Sequence, residues 1–86
     1  MNWDFLLART AERALRSMPA GDRRRINAAL NGMRDDPFAG DVTALRREYQ
    51  GLFCRRVGSW RVIFELDRDR RLVLVHDVLR RSSTTY

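Results

Sequence analysis

Apolar residues in the first half of the chain recur at intervals of three and four, the spacing that places side chains on one face of a helix. Thr10 is a suitable cap for a first helix. The apolar stripe of that helix consists of Ala11, Ala14, Leu15 and Met18. Pro19 and Gly21 are expected to break it, and Asp22 to start a second helix that ends before Pro37. The second stripe consists of Ile26, Ala29, Leu30 and Met33.

Around these helices the pattern changes to the two-residue period of strands. An apolar stretch at residues 3–7 predicts one strand ahead of the helices, and the second half predicts strands at 44–49, 52–57, 60–67 and 72–79. Short turns at Gln50-Gly51, Gly58-Ser59 and residues 68–70 favour an antiparallel meander. The predicted fold class is α+β: one strand, two helices, then a four-stranded antiparallel meander, with both helices on one sheet face.

Alternation along residues 60–67 divides the side chains of that strand between the two faces of the sheet. The side predicted to face the helices carries Trp60, Val62, Phe64 and Leu66. The opposite side carries Arg61, Ile63 and Glu65. Arg61 therefore begins a strand at one end of the sheet and projects away from the helices. A structural ion pair with Glu65 or Asp67 is the alternative interpretation of this arginine.

The last predicted strand is followed by a second group of candidate functional residues. Arg80 and Arg81 end it, and alternation sends them to opposite faces, so at most one of them joins Arg61. Tyr86 is the final residue of the sequence. Guanidinium groups bind phosphate oxygens, and tyrosine offers a stacking face and an ionisable hydroxyl. Arg61, Arg80 and Tyr86 together suit the binding of a single-stranded nucleic acid. The alternative interpretations are that the arginines form a basic tail for an acidic partner and that Tyr86 is a frayed terminus.

Composition narrows these possibilities. The 86 residues predict a single domain, 1–86, and a hydrophobic content of 44% is enough for one core. The net charge of +6 favours an anionic partner: nucleic acid, an acidic protein or an anionic membrane. The lone Cys54 and the lone His76, both expected to be buried, argue against a disulfide or a metal site, and no cofactor is expected. Nothing resembles a signal peptide or membrane span, so a cytoplasmic protein is predicted.

The stretch from Gly51 to Glu65, GLFCRRVGSWRVIFE, resembles the central signature of the RelE/ParE toxins of bacterial type II toxin–antitoxin pairs. That signature has a glycine, an aromatic residue and arginines, then Val-Gly, an aromatic residue, Arg and aliphatic residues. The ending RRSSTTY resembles the close of the RelE branch. Residues 11–15 and the run Asp36-Pro37-Phe38 also fit. The resemblance covers essentially the whole chain and implies a RelE-like fold.

The resemblance further implies a ribosome-dependent mRNA endoribonuclease, an interferase that inhibits translation. In such toxins the 2′-hydroxyl attacks the adjacent phosphate and expels a 5′-hydroxyl end. By position, Arg61 matches the arginine that holds the scissile phosphate in these toxins. Arg80 matches the arginine near the leaving oxygen, and Tyr86 matches the tyrosine that stacks on the mRNA base. The basic residues implied to bind RNA are Arg55, Arg56 and Arg81. The implied partners are the ribosome, mRNA and a cognate acidic antitoxin in a hetero-oligomer.

Two departures and two rival functions accompany this resemblance. Cys54 stands where the family often has a second basic residue, including the lysine assigned as a base in some members. The arginines of this sequence are poor substitutes for that base, because arginine stays protonated. The sequence therefore identifies no general base. Many relatives also continue beyond the position of Tyr86 into a short helix. The rival functions are a ParE-like toxin that poisons DNA gyrase without cutting RNA and a small basic nucleic-acid-binding module.

Overall fold

A five-stranded sheet with two α-helices on one face makes up residues 2–80, the part of the chain that this computed structural model describes. Its elements in chain order are β1 (Asp4–Leu7), α1 (Arg9–Ser17), α2 (Ala20–Met33), β2 (Val42–Ala44), a 3₁₀-helix (Arg47–Tyr49), β3 (Phe53–Val57), β4 (Trp60–Asp67) and β5 (Leu72–Arg80). The strand order is β1-β5-β4-β3-β2. Strands β2 to β5 form an antiparallel meander, and β1 pairs with β5 in parallel. The predicted α+β class and the meander are confirmed.

The apolar stripes of both helices pack on the face of the sheet that carries Trp60, Val62 and Phe64, the helix face. The two helices contribute Ala11, Leu15, Ile26, Leu30 and Met33 to this core, and Met18 joins it from the link between them. The strands β4 and β5 contribute Trp60, Val62, Phe64, Val73, Val75 and Val78. Full burial of one such aliphatic or aromatic side chain contributes about 1.5–3 kcal/mol. The other side of the sheet, with Arg61, Ile63 and Glu65, carries no helix from residues 2–80 and is called the open face.

Both helices begin earlier than the sequence pattern predicts. Thr10 lies inside α1, and Ala8 holds the cap position because its N–H donates to the carbonyl oxygen of Val75 at 2.8 Å while its own carbonyl accepts from Glu12. The pairing of β1 with β5, not a side-chain cap, thus fixes where α1 starts. Met18 and Pro19 separate the two helices, and α2 starts at Ala20 with Gly21 and Asp22 in its first turn. Among residues 2–80, no helix is long and apolar enough to cross a membrane.

The predicted strand at residues 44–49 is wrong. Strand β2 ends at Ala44, and residues 47–49 form the 3₁₀-helix. Arg47 has φ of +60°, a left-handed conformation that turns the chain and that an extended strand cannot contain. The N–H of Leu45 still donates to the carbonyl oxygen of Leu52 at 2.9 Å, so the ladder closes just before this turn. Leu45 and Tyr49 are four residues apart, a spacing that suits a helical turn as well as it suits a strand.

A β-bulge in β5 changes which residues of that strand face the helices. Ile63 pairs with Asp77 and Phe64 pairs with Val75, so His76 is an extra residue in the ladder. Beyond the bulge the alternation is shifted by one, and Val78 is buried in the core. His76 lies partly exposed on the open face, where its Nε2 is 2.6 Å from Oε1 of Glu65. The prediction that His76 is buried is therefore wrong, although its predicted hydrogen bond is present.

The loop before β2 depends on Gly40, and this yields a stability prediction. Gly40 has φ of +84°, and a Cβ at this position would lie 2.6 Å from the guanidinium carbon of Arg55. We expect Gly40→Ala to lower the free energy of unfolding by roughly 1–3 kcal/mol, because alanine is strained in this left-handed conformation and the Arg55 side chain must move away from the new Cβ. Urea unfolding followed by circular dichroism measures the change.

Gly32→Ala is the matched control for this substitution. Gly32 lies in α2, and a Cβ there would meet nothing within 4 Å. We expect Gly32→Ala to raise the free energy of unfolding by about 0.5–1 kcal/mol, since alanine loses less conformational entropy in a helix. Equal effects of the two substitutions would contradict the specific role of Gly40.

Candidate nucleic-acid interface

Two arginines face each other across neighbouring strands on the open face of the sheet. Arg56 of β3 and Arg61 of β4 are directly opposite in the antiparallel ladder. Together with residues of β2 and β3 they line a depression of ≈ 250 Å³ at one end of this face. Its lining consists of Thr43, Leu45, Cys54, Arg56 and Arg61. The predicted projection of Arg61 away from the helices is confirmed.

The position of Arg61 is fixed by its neighbours along β4. Trp60 and Val62, on either side of it in sequence, are 9% and 0% exposed and belong to the core. Because both are packed against the helices, the backbone of Arg61 has no freedom to rotate its side chain onto the helix face. Like charges directly opposite in a sheet are destabilising, and an anion between the two guanidinium groups relieves that repulsion. The arrangement can bind a phosphate group.

Cys54 forms the floor of the depression. Its side chain is buried, at 8% exposed, and its ladder partner across β4 is Ile63. Burial raises the pKa of the Cys54 thiol; the positive charges of Arg61 and Arg56 oppose this rise, and Asp41 adds to it. The thiol is therefore protonated at neutral pH and supplies no base. Residues 2–80 contain no group of three or more side chains suited to hold a metal ion.

Arg55, a predicted RNA-binding residue, lies on the other side of β3 from Arg56. Its guanidinium group covers Gly40, and its Nη1 donates to the carbonyl oxygen of Ala39 at 2.8 Å. The alternation of β3 separates these two consecutive arginines, so that only Arg56 lines the depression with Arg61. The contacts of Arg55 hold the loop that leads into β2.

Arg80, a predicted catalytic residue, lies on the helix face. It pairs with Trp60 in the ladder, and its guanidinium carbon is 4.8 Å from the centroid of the Trp60 ring, a cation–π contact. Arg61 and Arg80 are thus at the same end of the sheet but on opposite faces. Arg81 and Tyr86, also predicted site residues, lie outside the described residues.

Sequence reasoning missed two residues of the depression. Thr43 and Leu45 line it, yet the pattern placed a strand at 44–49 and assigned neither of them to a site. The signal that could have found Thr43 is the register of β2, because Thr43 pairs with Cys54 and so shares the open face. Nothing in the local sequence gives that register without the position of β3.

Comparison of the sequence with protein-family models and with curated proteins finds no match. Solved structures do match, over nearly the full length of both chains. The toxin–antitoxin complex RelBE2 from Mycobacterium tuberculosis has 22% identity and a TM-score of 0.84, over 93% of this chain and 99% of the other. The archaeal RelE–RelB complex from Pyrococcus horikoshii has 21% identity and a TM-score of 0.84, over 98% and 100%.

A further match extends the likeness beyond RelE itself. The YoeB/ParE toxin from Agrobacterium tumefaciens has 16% identity and a TM-score of 0.78, over 90% of this chain and 96% of the other. Identities this low establish a shared architecture. The order of one strand, two helices and a four-stranded meander, with β1 beside β5, is therefore the fold of these RelE and YoeB/ParE structures.

Proposed function

We propose that residues 1–86 form the toxin of a type II toxin–antitoxin pair, a cytoplasmic, ribosome-dependent mRNA endoribonuclease that inhibits translation. The observation that carries this proposal is the Arg56–Arg61 pair on the open face of a RelE-type fold. Two like charges placed directly opposite each other cost stability, and they suit the binding of an RNA phosphate. The solved structures with this fold include complexes of RelE with RelB, which supports a cognate antitoxin as the partner.

In the proposed reaction an mRNA strand crosses the depression with its scissile phosphate between Arg56 and Arg61. The 2′-hydroxyl oxygen forms a bond to phosphorus, and the bond from phosphorus to the 5′ oxygen breaks. The products are a 2′,3′-cyclic phosphate and a 5′-hydroxyl end. Negative charge builds up on the phosphoryl oxygens during attack, and a guanidinium group that is already positioned there stabilises it. Arg61 is the better placed of the two, because buried residues flank it in β4.

Proton transfer is the part of this reaction that the depression does not supply. Its lining residues, Thr43, Leu45, Cys54, Arg56 and Arg61, include no group that exchanges a proton near neutral pH. We propose that the ribosome positions the RNA and that Tyr86 stacks on the base next to the cut. Arg80 would assist the leaving oxygen only after leaving the Trp60 ring, since that ring holds it on the helix face. Arg81 would contact the RNA backbone.

The charge of the chain supports the proposed partner. A net charge of +6 and the opposed arginines favour an acidic antitoxin that folds on binding. The resulting hetero-oligomer would keep the toxin from RNA.

Replacing Arg61 tests the role of the depression directly. We expect Arg61→Ala to lower the rate of mRNA cleavage by roughly 100-fold or more, because one positioned donor is lost where charge develops. A reconstituted translation reaction with a defined mRNA, followed by primer extension, measures the cut. Circular dichroism confirms that the variant is folded.

Arg68→Ala is the matched control for the loss of one positive charge. Arg68 is exposed in the turn between β4 and β5, away from the depression. We expect it to retain cleavage within a few-fold of the parent chain, since only general electrostatic attraction is reduced. Full toxicity of a folded Arg61→Ala chain would rule out the interferase function and leave a toxin that acts by binding alone.

The absence of a base in the depression generates a second prediction. The purified chain is expected to leave naked mRNA intact and to cut the same mRNA when 70S ribosomes are added, because positioning by the ribosome replaces missing acid–base groups. Gel analysis of an end-labelled transcript measures both reactions. Efficient cutting of naked RNA would contradict ribosome dependence, and DNA breaks that require gyrase would instead support the ParE-like function.

Cys54 provides a prediction on pH. Folding raises the pKa of the thiol, so the folded chain keeps a proton that the unfolded chain has released. The corresponding stability is fully present below the unfolded pKa of about 8.5 and is lost as pH rises through the higher folded pKa. We therefore expect the stability of the parent chain to fall more steeply above about pH 8.5 than that of Cys54→Ala.

Urea unfolding between pH 7 and pH 10 measures the two slopes, and the cleavage assay is run on both proteins at pH 7. Cleavage is expected to be similar, because a protonated thiol contributes no base. Loss of cleavage in a folded Cys54→Ala chain would show that the thiol takes part in the reaction.

A further inference from the structure

The depression that holds Arg56 and Arg61 has a second wall, which Thr43 and Leu45 form at the end of β2. Thr43 pairs with Cys54 in the ladder between β2 and β3, so its side chain lies on the open face. Thr43 is exposed, whereas Leu45 is half-buried. A phosphate between the two arginines accounts for one side of the depression only. The other side presents a hydroxyl group and an apolar surface that this phosphate does not use.

The charges around the depression differ between its two sides. Arg56 and Arg61 supply positive charge from β3 and β4. Asp41 lies just before β2, and its carbonyl oxygen accepts from the N–H of Arg56 at 2.9 Å. Burial is the main cause of the raised pKa of the Cys54 thiol, and the negative charge of Asp41 adds to this rise, so that charge acts on the depression. A bound anion is therefore drawn to the arginines, and an uncharged group to the side of β2.

The size of the depression limits how much of a nucleotide it holds. Pockets for drug-sized ligands have volumes of about 300–1,000 Å³, and this depression, at ≈ 250 Å³, is smaller. A ribose with its 3′-phosphate is smaller than a whole nucleotide and matches the lining in chemistry. The carbon atoms of the sugar suit the side chain of Leu45, and the protonated thiol of Cys54 places no negative charge beneath the phosphate. The base of the nucleotide then lies outside the depression.

The hydroxyl group of Thr43 has the chemistry to distinguish ribose from deoxyribose. Its oxygen both accepts and donates a hydrogen bond, and the 2′-hydroxyl of RNA does the same. Since the 2′-hydroxyl is what separates RNA from DNA at a single nucleotide, a hydrogen-bond partner for it confers preference for RNA. A site that bonds a ligand hydroxyl binds the analogue without it more weakly, because the polar group of the protein loses its partner.

We propose that Thr43 is a specificity-determining residue, which hydrogen-bonds the 2′-hydroxyl of the ribose whose 3′-phosphate lies between Arg56 and Arg61. The depression is thus a site for a ribose 3′-phosphate and is independent of the base. This inference rests on the proposed function in one respect: the ligand is taken to be an RNA strand. In that strand the 2′-hydroxyl bound by Thr43 is the group that attacks phosphorus. Thr43 fixes the position of this hydroxyl and removes no proton from it.

Small nucleotides test this site on the full chain without the ribosome. The probes are cytidine 3′-phosphate and 2′-deoxycytidine 3′-phosphate, titrated into the ¹⁵N-labelled protein, with amide shift changes expected at Thr43, Cys54 and Arg56. We expect the parent chain to bind the ribose form roughly three- to tenfold more tightly, the effect of one net hydrogen bond. Thr43→Val keeps the β-branched shape that suits a strand and is expected to bind both forms equally. Thr43→Ser is expected to restore the preference.

Thr10→Val is the matched control variant, because it makes the same change at an exposed residue of α1, outside the depression. It is expected to keep the preference for ribose. Inorganic phosphate and adenosine 3′-phosphate are the control ligands: Thr43→Val should bind the first as the parent does, and the parent should bind the second as it binds the cytidine form. No ribose preference in the parent, a preference that survives Thr43→Val, weaker phosphate binding in that variant, or selection of one base would overturn the inference.

The mRNA cleavage assay separates this inference from the proposed function. We expect Thr43→Val to lower the cleavage rate by roughly three- to tenfold and Thr43→Ser to restore it, because the attacking hydroxyl is less well positioned without its partner. A chain that prefers ribose through Thr43 but never cuts mRNA would keep this site and remove the endoribonuclease. A chain that cuts mRNA, and whose ribose preference survives Thr43→Val, would do the reverse.

Discussion

The burial of one face of β4 against the two helices is the constraint on which the rest of this structure depends. Trp60, Val62 and Phe64 pack with the apolar stripes of α1 and α2, and each is at most 9% exposed. A strand alternates its side chains, so this packing leaves Arg61 no position except the open face. The same constraint passes through the ladder to β3, where it places Arg56 opposite Arg61. A hydrophobic core thus aligns two positive charges that would not assemble by their own interaction.

The bulge at His76 determines on which face of the sheet Arg80 lies. Without an extra residue, the alternation that buries Val73 and Val75 would bring Arg80 to the open face beside Arg61. The bulge shifts the register, buries Val78 and sends Arg80 onto the ring of Trp60. A single inserted residue therefore separates two arginines that a regular strand would unite. The same irregularity brings His76 to the open face, where it contacts Glu65.

Charge and packing divide the roles of the arginines in this lysine-free chain. Some serve the fold: Arg23 donates to the carbonyl oxygens of Leu15 and Met18 at 2.9 and 3.1 Å, which satisfies the end of α1, and Arg55 holds the loop at Gly40. Arg56 and Arg61 instead face each other at a depression, in an arrangement that costs stability. A net charge of +6 therefore gives only the sign of the charge on a partner, and the contacts show that some of the arginines serve the fold.

The sequence by itself determined the fold class, the two helical stripes, the meander and the direction of Arg61, because each follows from a local period of apolar residues that one buried face enforces. It missed the left-handed turn at Arg47, because the apolar spacing there also fits a strand, and it missed the start of α1, which depends on a hydrogen bond to Val75, a residue distant in sequence. Only the tertiary structure decided that Arg55 and Arg80 turn away from Arg61, that Thr43 joins the depression, and that β1 lies at an edge. Register and bulges depend on which strands pair with each other. The apolar pattern within one segment does not specify its partner strand, so it cannot predict either feature.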